Sequence, residues 1–256
     1  MSTLEIHQIP TRKDNYVYLI RESAEGKVAV VDPSDAAPVL AKLDELGWAL
    51  THILNTHHHN DHTGGNLELK EKYGCVVVGP RADHDRIAGI DIDVGDGDTY
   101  SVGGARAQVF DTPGHTRGHI SFWFPGSKAL FCGDTLFALG CGRVFEGTFE
   151  QMWHSLGKYD GLPDDARVFC AHEYTQANAK FALTVEPGNA ALAARSKAID
   201  ALREAGKPTV PSTLGEERET NPFLRTGAEP LKRAIGMADA DPVAVFAEIR
   251  TRKDNF

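Results

Sequence analysis

Short, mostly apolar runs open the chain. LEIHQI, NYVYLIRE and KVAVVDP each predict a β-strand, the last as a nearly continuous apolar stretch. The period then changes. SDAAPVLAKLDELG brings Val39, Leu40, Leu43 and Leu46 to one side of a helix, with Ser34 or Asp35 as its cap and Gly47 as its stop. HILNT predicts another buried strand, which runs directly into THHHNDH; residues 63–73 predict a helix ending at Gly74, and CVVVGP a further strand. The second half repeats this grammar, with ARAQVFDT, GHISFWF, KALFCGD and RVFCAHE as strands and FEQMWHSLGKY as a helix between the last two. From Tyr174 onward the pattern is alanine-rich helix: QANAKFAL, NAALAARSKAIDALREAG and DPVAVFAEIRTRKD. Asn189 and Asp241 suit helix caps, Pro242 a first helical position, and Gly206 with Pro208 closes the middle helix. The change of pattern predicts two domains, a mixed α/β one over residues 1–173 and an all-helical one over residues 174–256.

Composition narrows the function classes. The chain has 256 residues, enough to bury a full core, with 41% hydrophobic and 25% charged residues. No apolar run approaches the ~20 residues that a bilayer-spanning helix requires, so no membrane segment is expected. The start, MSTLEIHQIPTRKDN, lacks a basic stretch followed by an apolar one and a cleavage site, and a cytoplasmic address is the expectation. Cys75, Cys132, Cys141 and Cys170 are widely spaced without a CxxC pair, which argues for reduced thiols in or near the core and against a disulfide framework or thiolate zinc knuckle. A net charge of -9 disfavours nucleic acid as a partner, and an anionic substrate must meet a local basic patch.

THHHNDH holds four histidines and an aspartate in seven residues. Buried polar groups need partners, so such a run cannot be ordinary core. His57 and His59 are two apart; in an extended stretch they point the same way and can hold one ion, whereas they cannot share a helix face. Asp61 and His62 fall at the turn into the next helix, where their side chains can diverge to a second ion. His58, between two ligands, should point away. Three further donors follow apolar strands beside small residues: His115 in DTPGHTRGH, Asp134 in LFCGDTLF and His172 in FCAHEY. Five imidazoles and two carboxylates without a thiolate suit zinc, iron(II) or manganese. His119 suits either a hydrogen-bonded core role or support of a ligand. His7, His52, His84 and His154 carry no signal.

THHHNDH resembles the HxHxDH signature of the metallo-β-lactamase superfamily, with TPGHT, GDTLF and AHEYT as its later ligand motifs. The resemblance implies a four-layer αββα sandwich with metals at one edge of its sheets, followed here by the smaller helical domain. CGRVFEGTF, AHEYT, PSTLGEERETNPFLR and the terminal RTRKDNF are similar to the glyoxalase II family, the hydroxyacylglutathione hydrolases, along essentially the whole chain. That family cleaves S-D-lactoylglutathione to D-lactate and glutathione. The resemblance implies two divalent metal ions, zinc before iron or manganese, and a metal-bridging hydroxide as nucleophile. His57, His59 and His115 are then expected on one ion, Asp61, His62 and His172 on the other, Asp134 as the bridge, and Asp61 as a group that orients or deprotonates the water. The resemblance also assigns Arg143, Phe145, Tyr174, Arg250 and Lys253 to glutathione, with Arg143 and Phe145 where the family commonly has lysine and tyrosine. Arg250 and Lys253, three apart, suit the substrate's carboxylates, and Lys253 shares a helix side with Val245, Phe246 and Ile249, so it should point inward. A monomer acting on a small-molecule glutathione thioester is the expectation.

Competing readings are a persulfide dioxygenase of the same superfamily with a single iron, a β-lactamase, a tRNA-processing nuclease and a non-catalytic metal-binding protein. The full ligand set and the helical extension favour the hydrolase over the first and last, and the acidic chain without an export signal disfavours the other two.

Overall fold

The computed structural model describes residues 2–256. Two compact units divide them: the first runs to Asp111 and resumes over Thr116–Gly133, and the second comprises Thr112–His115 and Asp134–Phe256.

In the first unit, β1 (Leu4–Thr11), β2 (Asn15–Glu22) and β3 (Val28–Val31) pair antiparallel. Helix α1 (Ala36–Leu46) then crosses to β4 (His52–Leu54), short helices α2 (Asn60–Thr63) and α3 (Asn66–Tyr73) lead to β5 (Val76–Pro80), and a 3₁₀ segment (Arg81–Arg86) leads to β6 (Ile92–Val94). From β3 to β6 the neighbours run parallel, completing one sheet in the order β1-β2-β3-β4-β5-β6. A second, antiparallel set follows in this unit: β7 (Thr99–Val102), β8 (Ala105–Asp111), β9 (Ile120–Phe124) and β10 (Ala129–Gly133).

Strands β2 to β5 of the first sheet are buried on both faces, which is why they read as largely apolar runs, whereas the edge strands β1 and β6 are partly exposed. Val17, Leu19, Val28, Val30, Ile53 and Val77 pack under Val39 and Leu43 of α1 and Leu69 of α3. Alternate residues point the other way, and there Tyr18 of β2 meets Phe131 of β10 with ring centres 5.6 Å apart. Because β3, β4 and β5 are parallel, the loops after their carboxyl ends lie on one side of the sheet, where open α/β sheets present ligand sites. Asp32 follows β3, the histidine segment follows β4, and Asp83 follows β5.

Gly47 and Gly74 end their helices in the left-handed conformation, as the sequence predicts. The α1 cap differs. Asp35 occupies the N-cap position, but its carboxylate is 3.1 Å from Arg12 Nε and caps nothing. The helix predicted from residue 63 is also divided: Gly65 N–H donates to Pro33 O at 2.8 Å between α2 and α3, so Asp61 and His62 sit on a helical turn of their own.

The second unit contains the hairpin β11 (Leu136–Phe137) and β12 (Gly140–Cys141), α4 (Phe149–Gly157), and β13 (Arg167–Cys170) paired with β14 (Ser212–Thr213). Its helices are α5 (Thr175–Val185), α6 (Ala190–Glu204), α7 (Leu214–Thr220), α8 (Glu229–Ala234) and α9 (Pro242–Asp254). Leu139, Ala179, Ala182, Leu192 and Ile199 form one of its cores. Asn189 caps α6, and Asp241 caps α9 with Pro242 at the first turn. Helix α7 has no apolar stripe in its sequence, because GEERET is polar. Its signal is the capping box of Thr213 and Glu216.

Candidate metal centre

The structure gathers the sequence-predicted donors into two sets, one in each unit. In the first, His57 leaves β4 fully buried, with its Nε2 3.1 Å from His59 Nδ1. His62 Nδ1 is 3.1 Å from Asp32 Oδ2, and its other nitrogen, Nε2, lies 3.6 Å from Asp61 Oδ2. Asp61 Oδ2 and the Asp61 carbonyl both accept from Asn15 Nδ2, each at 3.2 Å. Asp32 also accepts from Thr56 N and Thr56 Oγ1, both at 2.7 Å.

These separations have a physical meaning. Two atoms each about 2.1 Å from one ion at a tetrahedral angle stand about 3.4 Å from each other. A carboxylate on the outer imidazole nitrogen selects the tautomer whose inner lone pair is free to ligate. His62 with Asp32 has that arrangement.

His58 is turned away from this set, as the sequence predicts: its Nδ1 meets Asp83 Oδ2 at 3.1 Å. The His119 ring stacks on His57 with centres 4.8 Å apart and lies buried. Gly133, at φ 47°, completes the packing: a Cβ there would fall 2.3 Å from Thr56 Oγ1 and 2.7 Å from His119 Nε2, so only glycine fits.

The second unit holds His115, Asp134 and His172, which are 5%, 5% and 4% exposed. His115 Nε2 and His172 Nε2 each lie 3.4 Å from Asp134 Oδ2. His115 Nδ1 donates to Arg143 O at 2.9 Å, again leaving Nε2 as the inward lone pair. The His172 ring is stacked on Tyr174, with centres 4.7 Å apart and planes 2° from parallel.

The residues assigned to glutathione also lie in this unit. Phe145 is 61% exposed with its ring 5.2 Å from that of His115, and Tyr174, stacked on His172, is 37% exposed. Arg143 Nε is 3.5 Å from Asp254 Oδ1. Arg250 is not an open cation. It is buried over the Phe223 ring, and it donates to Cys141 O and to Asp254 Oδ1, each at 2.9 Å. Lys253 points inward as its helical position predicts, with Nζ 5.3 Å from the ring centres of Phe181 and of Phe256. Burial pushes its pKa below the ordinary lysine value, and the positive charges of Arg250 and Arg143 push the same way.

Sequence reasoning missed Asp32, Asn15 and Asp83. Asp32 could have been found as a carboxylate closing an apolar strand, the pattern that singled out Asp134. Asn15 and Asp83 carry no such signal.

Residues 10–172 match the family model described as metallo-beta-lactamase superfamily, and residues 173–256 match that of the hydroxyacylglutathione hydrolase C-terminus. A hydroxyacylglutathione hydrolase of Methylococcus capsulatus is 58% identical over 253 residues, 99% of each chain, and that of Rhodospirillum rubrum is 57% identical over 256 residues, 100% of each. The chain belongs to the hydroxyacylglutathione hydrolase family. It is thus a hydrolase with a mixed α/β metallo-β-lactamase domain and a helical C-terminal region. Among solved structures, ETHE1 from Myxococcus xanthus is 25% identical with a TM-score of 0.67, covering 97% of this chain and 98% of its own. The BLEG-1 B3 metallo-beta-lactamase, 21% identical, shares the fold with a TM-score of 0.66 over 86% of this chain and 99% of its own. This fold implies divalent metal binding, and the two donor sets fit it: imidazole and carboxylate atoms stand at ligand spacing, and the outer nitrogens of His62 and His115 are engaged elsewhere. Among the described residues no helix is long and apolar enough to cross a membrane.

Proposed function

We propose that this family member is a binuclear metal-dependent thioester hydrolase, cleaving S-D-lactoylglutathione and related S-2-hydroxyacylglutathiones to D-lactate, or the corresponding 2-hydroxy acid, and glutathione. It does so as a cytoplasmic monomer in methylglyoxal detoxification. His57, His59 and His115 would hold one ion, Asp61, His62 and His172 the other, and Asp134 both. Zinc is the first choice, with iron and manganese compatible with the same donors. Two bound divalent ions lower the pKa of water to roughly 7 and stabilise negative charge on a carbonyl oxygen.

The rest is the work of this chain's residues. Asn15 holds Asp61 Oδ2 at 3.2 Å, so that this oxygen can take the proton of the attacking water. Asp32 and the Arg143 carbonyl hold His62 and His115 with Nε2 inward. Arg143 and Lys253 supply cations for the carboxylates of the glutathione arm, and Phe145 and Tyr174 line it. The departing thiolate is stable near neutral pH, and little general-acid help is needed.

The reading is carried by the approach of His115 Nε2 and His172 Nε2 to one oxygen of Asp134, each at 3.4 Å. Its test is metal analysis of the purified protein alongside thiol release from S-D-lactoylglutathione and other acyl thioesters. Two ions per chain and fastest release from the 2-hydroxyacyl compounds are expected. One iron per chain, with oxygen uptake on glutathione persulfide and no thioester cleavage, would transfer the protein to the dioxygenases.

A further inference from the structure

Asp83 is fully buried in its side chain, far from an ordinary place for a carboxylate, and buried charge must be paired. It sits at a break in the Arg81–Arg86 turn, with φ -113° and ψ 17°, at the end of β5. Its two oxygens divide their partners. Oδ2 meets His58 Nδ1 at 3.1 Å, and Oδ1 accepts from Arg86 Nη1 at 3.1 Å. Arg86 Nη2 in turn contacts His58 Nε2. A guanidinium only donates, so His58 Nε2 accepts and Nδ1 carries the proton to Asp83. Both ring nitrogens of His58 are thereby engaged, and the ring is pinned.

The same carboxylate lies against the turn that carries His119. A Cβ on Gly118 would fall 2.3 Å from Asp83 Cγ and 2.4 Å from Oδ1, so that backbone passes directly over the carboxylate. Asp83 therefore braces two backbone segments of the first unit: the one that holds His57 and His59, and the one that holds His119 against His57. The His58 ring also packs beside that of His59, with centres 4.7 Å apart, so holding it in place limits where the His59 ring and the backbone on either side of His58 can move.

We infer that Asp83, acting through His58, is a positioning residue for the metal-ligating histidines His57 and His59. The inference rests on the reading that these two residues hold an ion. Asp83→Asn keeps the shape under Gly118 but leaves one of the two donors facing an amide N–H. Supporting partners of ligands typically change metal affinity by about 10- to 100-fold. Zinc affinity, measured by competition with a chromogenic chelator, should fall at least about 10-fold in Asp83→Asn and in His58→Ala, and the double variant should lose no more than the worse single one. A lower melting temperature of the metal-free protein with unchanged zinc affinity would make Asp83 a purely structural group and overturn the inference. If Asp83→Asn does not fold, His58→Ala decides alone, and wild-type affinity in it is equally fatal. His57→Ala separates the two levels: full metal content in that variant overturns the metal reading and this inference with it, whereas loss of metal there beside unchanged Asp83→Asn and His58→Ala overturns the inference alone.

Discussion

His62 and Asp32 are held 3.1 Å apart, Nδ1 to Oδ2, with both side chains buried. Asp32 is shared with Thr56, whose N–H and hydroxyl both donate to it at 2.7 Å. Asp32→Ala leaves three buried donors without their acceptor. It should cost about 3 kcal/mol in urea unfolding of the metal-free protein, and the loaded protein should release zinc about 10-fold more readily. Unfolding at the wild-type midpoint would show that Asp32 supports nothing.

Asp134 accepts the approach of two imidazoles at one oxygen. Asp134→Ala should therefore lower metal content and thioester hydrolysis together. A fully loaded, fully active variant would remove Asp134 from the proposed ligand set.

Phe145 is mostly exposed, beside His115, and if it lines the proposed glutathione site a phenol in its place is expected to add one hydrogen bond to the substrate. Phe145→Tyr should lower KM for the glutathione thioester by about 3- to 10-fold, from one neutral hydrogen bond of roughly 1 kcal/mol, and leave kcat unchanged because the contact is the same in ground and transition states. A change in kcat without one in KM would place this side chain in the chemical step.

Lys253 is half-buried, and burial first, then Arg250 and Arg143, depress its pKa, while Asp254 opposes them. Between the depressed folded value and the ordinary unfolded one, the unfolded chain binds more protons. Stability from this group thus rises with pH through that window, and below it the burial of the charge is a fixed penalty. If Lys253 binds glutathione as proposed, its charge should be lost at lower pH than an ordinary lysine's, seen as a rise of KM on the alkaline side. Lysine Nζ titration by NMR should show the pKa climbing back in Arg143→Ala and falling further in Asp254→Asn; the opposite order would refute the assigned causes.

All four cysteines are free and buried, and burial pushes the Cys141 and Cys170 thiols up to about 11 and about 12. The thiolate is the reactive form, so a chromogenic disulfide at pH 8 should label none of them until the protein is unfolded. Rapid labelling of the folded protein would mean that one of these thiols reaches solvent.

Much of this was legible in the one-dimensional pattern. Apolar runs marked β2 and β3 because these strands are covered on both faces, and glycine marked the ends of α1 and α3 because the backbone turns left-handed there. The histidine segment declared its chemistry because its donors are neighbours in the chain, and His115, Asp134 and His172 stood out as donors after strands. What the sequence determined by itself was therefore the local material: which residues form strands and helices, and which side chains can bind a metal. Tertiary structure alone decided how those side chains are held. The partners that choose a tautomer or pin a ring, Asp32 for His62, Arg143 O for His115, Asn15 for Asp61 and Asp83 for His58, come from 25 to 46 residues away. The burial of Arg250 against Cys141, 109 residues apart, likewise has no trace in helical spacing. Local periodicity reports only which side of an element is apolar, whereas hydrogen-bond geometry arises when remote strand ends are brought to within about 3 Å.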